Sequence, residues 1–278
     1  MTSKTVSITI LVDNKAGKGL GFEHGLSLWI ETENKRILVD TGQGPAFARN
    51  TRKLGVDLAT ADILVLSHGH YDHAGGIAYV VQQAPNVDIY CHPGVLQPRY
   101  AVRDGEAKAI GISEQARAVL DGWPSSRMHW VRQPLLLTEK IGITAPIPRL
   151  TSYEDAGGPF YFDPAGTCPD PIEDDLALWI ETDLGVVVCL GCAHAGLVNT
   201  LDHVLSLTQG VRVRAVIGGF HLLDAGPERL DQTISALRLH NPEVLAPCHC
   251  TGERPVTQLR DALGERVSLG AAGMTYHF

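Results

Sequence analysis

The chain has 278 residues, 44% of them hydrophobic and 19% charged, the balance of a globular protein with ample apolar surface to bury. Its formal net charge of -8 offers no basic field for a polyphosphate backbone, so a small-molecule partner is expected and nucleic acid is not. No segment approaches the ~18 apolar residues of a membrane span. The opening Met1-Thr2-Ser3-Lys4 and the apolar stretch 6–12 are too short and too β-like for a secretory signal. The six cysteines, Cys91, Cys168, Cys189, Cys192, Cys248 and Cys250, are therefore expected to be reduced thiols in a cytoplasmic setting.

Residues 27–42, SLWIETENKRILVDTG, read as two β-runs joined by a polar turn. A helical pattern follows at about 45–54. The apolar strand 63–66 then delivers Ser67-His68, a second helical pattern occupies 76–84, and the β-run 87–91 leads to His92-Pro93-Gly94. Residues 95–172 contain a helix-like stretch at 113–121 and then a Pro/Gly-rich course through Pro146, Pro148, Gly157-Gly158-Pro159 and Pro164. Beyond them the first design returns. ALWIETDLGVVVCLGC at 177–192 repeats Leu-Trp-Ile-Glu-Thr unchanged, the strand 213–217 leads to His221, and the strand 244–248 leads to His249. Helical patterns fall at 196–208, 227–240 and 254–263.

The order strand pair, strand, helix, strand thus occurs twice. Two such halves, each with one sheet face covered by its own helices, predict an α/β protein, an αβ/βα four-layer sandwich. The expected organisation is one domain over 1–278, with a first half 1–94, an insertion of about 95–172 that covers the site, and a second half 173–278.

His68, His70, Asp72 and His73 place four metal-binding groups within six residues, directly after an apolar strand and before Ala74-Gly75-Gly76. Imidazole and carboxylate are what zinc and its neighbours bind. His68 and His70 can point one way while Asp72 and His73 serve a neighbouring position, so two divalent ions are expected, zinc first, with manganese or iron as alternatives. His194, two residues after Cys192, shares its side if the strand continues, with Asp175 as the runner-up ligand. Cys192 either lines the metals or is a buried structural thiol.

HGHYDH with the preceding Val39-Asp40-Thr41-Gly42 resembles the HxHxDH signature of the metallo-β-lactamase fold superfamily. ILVDTG, LSHGHYDHAGG, LGCAHAG, IGGFHL and PCHCTG are similar to one branch, the dihydropterin-methyl-ribofuranosylaminobenzene-phosphate synthases of the methanopterin-pathway type. The resemblance implies that His249 joins Asp72 and His73 at the second metal, and that His68 and His70 hold the first. It also implies an enzyme, a hydrolase or transferase, acting on a small anionic substrate: a phosphoester, a lactone or a pterin phosphate. An iron-dependent oxygenase and a non-catalytic metal-binding sensor are the competing classes.

Further roles are expected around this set. Asp40 would orient a ligand histidine by accepting its other ring N–H. Asp72 would orient the nucleophile and carry its proton, and His221, the repeat partner of His68, would protonate the leaving group. His92, the repeat partner of His249, and Arg149 are candidates for substrate contact. His24, His129, His203, His240 and His277 are expected to be structural or solvated.

Overall fold

The structure, a computed structural model, describes residues 6–278, so Met1-Thr2-Ser3-Lys4 lies outside the described residues. The chain divides into two compact units, one comprising Met1–Pro98, Ile110–Val131 and Ala271–Phe278, the other Arg99–Ala109 and Arg132–Gly270. Strands and helices are numbered along the chain.

In the first unit β1 (Ser7–Val12), β2 (Ser27–Glu31), β3 (Arg36–Val39), β4 (Ile63–Val65), β5 (Asp88–Cys91), β8 (Met128–Trp130) and β16 (Thr275–His277) form a seven-stranded sheet, ordered β16-β1-β2-β3-β4-β5-β8. The hairpin between β2 and β3 closes on Thr32, whose hydroxyl accepts from the Lys35 N–H at 3.0 Å. From β3 onward the pairing turns parallel. Such crossovers need a covering element, and α1 (Pro45–Lys53) and α3 (Ile77–Gln83) supply it. α4 (Glu114–Gly122), with Ser113 as its N-cap, adds to the same layer. Phe47, Ile77, Val80, Ala116 and Leu120 from these helices share a core with Trp29, Leu38, Leu64 and Ile89 of the sheet and with Leu66 directly after β4. Burial stabilises each large apolar side chain there by about 1.5–3 kcal/mol. The turn into α1 is held by Glu23, whose carboxylate accepts from the N–H groups of Gln43, Gly44 and Ala46 at 3.0, 3.1 and 2.8 Å. A single turn, α2 (Tyr71–Ala74), which the helical patterns did not predict, follows β4.

In the second unit β9 (Leu135–Thr138), β10 (Ile141–Ile143), β12 (Ala177–Thr182), β13 (Gly185–Leu190), β14 (Val213–Gly219) and β15 (Val244–Cys248) are ordered β15-β14-β13-β12-β10-β9. α5 (Leu197–Leu207), α6 (Pro227–His240) and α7 (Glu253–Leu263) bring Leu201, Leu230, Ile234 and Leu259 onto Trp179, Val188, Val216 and Leu245. Two antiparallel pairings, β10 with β12 and β12 with β13, precede two parallel ones, as in the run β1 to β5. The repeated Leu-Trp-Ile-Glu-Thr therefore occupies the same strand in each unit, and Trp29 and Trp179 each enter the helix-side core of their own unit.

Residues 95–172 do not form one piece. α4 and β8 belong to the first unit and β9 and β10 extend the second sheet. The remainder builds a three-stranded sheet, β11-β6-β7, from β6 (Tyr100–Arg103), β7 (Glu106–Ala109) and β11 (Phe160–Tyr161). Residues 271–278, placed by sequence in the second half, complete the first sheet through β16, which pairs with β1.

Candidate metal centre

In the first unit the side chains after β3 and β4 form one hydrogen-bonded chain. Asp40, fully buried, follows β3 with φ 57°, a left-handed conformation that turns its carboxylate off the end of the strand. That carboxylate accepts from Ser67 N–H at 2.7 Å, from Ser67 Oγ–H at 2.7 Å and from His73 Nδ1–H at 2.7 Å. Because the Ser67 hydroxyl donates to Asp40, its oxygen accepts from His68 Nδ1–H, 2.8 Å away. His68 Nε2 then carries a lone pair, and His70 Nδ1–H donates to it at 2.9 Å. This assignment follows from the network alone. The rings of His68 and His73 lie 4.2 Å apart and those of His68 and His70 4.5 Å apart.

Asp72, in the first turn of α2, is 3.1 Å from His24 Nε2 through Oδ2. His24, expected to be structural or solvated, is thus a neighbour of this group, although its own side chain is 56% exposed. Gly25 has no room for a Cβ, which would collide with the Asp72 carbonyl, and that close approach carries His24 to the carboxylate.

In the second unit β13 ends at Leu190, so Cys192 and His194 come together through a turn in which Ala193 has φ 51°, not along a continuing strand. A ring nitrogen of His194 and one of His249 each lie within 4.8 Å of the buried Cys192 sulfur, which suits the thiol to lining a metal. His194 Nδ1–H donates to the Ala156 carbonyl at 2.8 Å, leaving Nε2 as the basic nitrogen. Asp175 Oδ2 accepts from Ala195 N–H at 2.8 Å, which supports His194 from the following residue.

The segment 149–157 is tied down around His194. Arg149 donates to the His194 carbonyl at 2.7 Å and to the Pro171 carbonyl, so its guanidinium clamps backbone where a grip on substrate was expected. Leu150 and Thr151 N–H donate to Asn199 Oδ1. Glu154 accepts from Val198 and Asn199 N–H, both at 2.9 Å, and so caps α5.

His221, with φ 47°, ends β14, and its ring lies 4.3 Å from that of His194. Burial, then the charges of Arg229 and His249, lower its pKa to about 4. A neutral imidazole at pH 7 does not serve as an imidazolium acid, so the expected role in protonating a leaving group is not supported by its surroundings. His92 is also engaged locally: its Nδ1 accepts from Gly94 N–H at 3.1 Å and caps the turn Pro93–Leu96. Cys189 is enclosed in β13 with its thiol pushed up to about 12, the state of an inert core residue.

The donors of each unit, taken by themselves, have the chemistry of divalent transition-metal ligands. His68 and His73 in the first unit and His194 in the second each have Nδ1 engaged as a donor, which fixes the tautomer with Nε2 basic, the arrangement that metal-ligating histidines use.

The model of the metallo-beta-lactamase superfamily matches residues 20–249. The chain belongs to that superfamily. Over 91% of its length it is 30% identical to an uncharacterized protein of Methanocaldococcus jannaschii, covering 93% of that protein. A second relative from the same organism, 7,8-dihydropterin-6-methyl-4-(beta-D-ribofuranosyl)-aminobenzene-5'-phosphate synthase, is 30% identical over 89% of this chain and 88% of its own. Among solved structures, Tm1679, described as a metal-dependent hydrolase of the beta-lactamase superfamily, is 26% identical with a TM-score of 0.81, and 98% of each chain is covered. The metallo-β-lactamase fold expected from HGHYDH is thus the fold of this chain. No helix among the described residues is long and apolar enough to cross a membrane.

Proposed function

We propose that the chain is a metal-dependent hydrolase-type enzyme acting on a small anionic substrate, with His68, His70, Asp72, His73, His194 and His249 as ligands of two divalent ions, zinc first. The observation that carries this reading is the Asp40–Ser67–His68 and Asp40–His73 network, because it orders the proton positions of two histidines in the way metal binding needs. Bound there, the metal supplies Lewis acidity and brings the pKa of water from about 15.7 toward ~7.

The chain's own groups do the rest. His24 donates to Asp72 Oδ2 and orients the carboxylate, so that its other oxygen can accept the proton of an attacking water. Asp40 holds His73 against rotation, and the Ala156 carbonyl does the same for His194. His221, neutral at pH 7, is suited to accepting or donating a hydrogen bond to substrate without changing charge. The hydrolase-named structure supports the hydrolytic reading in general, and the synthase-named relative supports a pterin-related phosphate as the alternative substrate class.

Metal analysis of the purified protein combined with turnover assays tests the reading. Zinc or manganese with release of phosphate, opening of a lactone or consumption of a pterin diphosphate is expected. Redox-active iron with oxygen uptake, or bound metal with no turnover of any of these classes, would overturn it.

A further inference from the structure

We propose that Arg229 is the residue that binds the anionic group of the substrate, and that Asp155 is a built-in competitor which the incoming oxyanion displaces. The inference rests on the enzymatic reading above and adds the recognition site to it. Arg229 lies in the first turn of α6 and is 6% exposed. Its Nη1 donates to Asp155 Oδ1 at 2.5 Å, while Nε and Nη2 are buried without a hydrogen-bond partner among the described residues. Those two nitrogens form one planar fork, the edge with which arginine takes phosphate or carboxylate in a bidentate way. Leaving such donors unmet in the interior is unfavourable, and an acceptor that arrives with a ligand removes the penalty.

The partners are unequal. The Arg229 guanidinium is enclosed, whereas the Asp155 side chain is 77% exposed, so the carboxylate can turn to solvent and the cation cannot. Asp155, Ala156 and Gly157 form one wall of a cavity of about 790 Å³, whose other walls include Phe160, Tyr161 and Pro169. With Asp155 turned aside, an oxyanion in this cavity would reach the Arg229 cation behind it, and the apolar and aromatic walls suit a ring-bearing molecule that carries one. His221 Nδ1, also buried without a partner, sits behind Gly157, where a Cβ would collide with it. Arg229 itself stands behind that wall, joined to it through Asp155, and the two arginines that do line the cavity are engaged: Arg103 with Asp224 at 2.7 Å, and Arg149 with backbone carbonyls.

Calorimetric titration of inorganic phosphate, and separately of acetate, into the purified protein tests the assignment, with metal content measured for every variant. R229Q should weaken binding of the preferred anion at least about tenfold and R229K by less, because a lysine keeps the charge and loses the fork. D155N should tighten it several-fold, since removing a competitor raises the fraction of competent sites. Metal content should not change. Preference for acetate over phosphate would identify the group as a carboxylate. Unchanged affinity in R229Q would place the anion elsewhere, and D155N weakening in parallel with R229Q would make the pair a scaffold. Either result overturns the inference, as does absence of anion binding in both wild type and D155N. A wild-type chain without metal that still shows the expected anion pattern would instead refute the catalytic reading alone.

Discussion

Substituting Asp40 by Asn changes one atom and should rewrite the proton positions of three histidines. The amide tolerates the left-handed backbone at φ 57°, so the change isolates electrostatics from strain. With NH₂ in place of Oδ2, a donor faces both Ser67 Oγ and His73 Nδ1, each 2.7 Å from that oxygen now. Ser67 then accepts from the amide and donates to His68 Nδ1, so His68 takes its proton at Nε2 and His70 must turn over as well. His73 must likewise move its proton to Nε2. Hydrogen bonds to a charged group contribute roughly 1.5–3 kcal/mol each, and part of two is lost, so the metal-stripped protein should be destabilised by about 2–4 kcal/mol. Loss of an orienting carboxylate weakens metal affinity typically about 10–100-fold. Urea unfolding of the stripped protein and retention of metal against a graded chelator measure the two effects. A D40N protein that unfolds at the wild-type urea concentration and keeps its metal at the same chelator level would refute the relay.

Other outcomes follow from single contacts. His221 ordinarily titrates near 6.5 and in the fold near 4, so between these values the unfolded chain binds a proton that the native one does not. Native stability is therefore fully present above about pH 6.5 and falls as the pH drops toward 4, by up to ~3 kcal/mol; urea midpoints of stripped wild type and H221N at pH 7 and pH 5 should show a smaller loss in the variant. G157A, which drives a Cβ into His221 Nδ1 at φ +83°, should lower the thermal midpoint by several degrees and reduce turnover. E154A removes the carboxylate cap of α5 and should reduce stability by about 1–2 kcal/mol in urea unfolding. Alkylation with iodoacetamide followed by peptide mass mapping should modify the exposed Cys168 quickly and leave Cys189 untouched in the native state.

The elements that sequence reading found are those whose signal is local. LWIET, the apolar run before His68 and the helices opened by Pro45 and Pro227 carry period and punctuation within a dozen residues, and each sits where it was expected. The Asp72–His24 contact did not show, because Phe22-Glu23-His24-Gly25 has no periodicity and the approach depends on the backbone of Gly25 meeting that of Asp72, far along the chain. Arg149 and Arg229 could not be ranked for the same reason. Both are single arginines in sequence, and only the fold shows that one donates to carbonyls while the other keeps an open fork. The short strands β9 and β10, between the helix-like stretch at 113–121 and the Pro/Gly-rich course, did not show, since three or four residues carry too little alternation to be read.

The pairing of β16 with β1, Ser7 opposite His277 and Thr9 opposite Thr275, bears on biosynthesis. The outer edge of the first sheet waits on a segment that leaves the ribosome only after all of Arg132–Gly270 has been made. Until then β1 presents unpaired N–H and C=O groups, a template for association with other nascent chains. Closing this ladder spans about 270 residues of chain, a contact of very high order, so it is expected late in folding. A fragment stopped at Val131 would hold the HGHYDH segment and its Asp40 anchor, yet would carry an unguarded edge, and its failure mode in expression would be aggregation through β1.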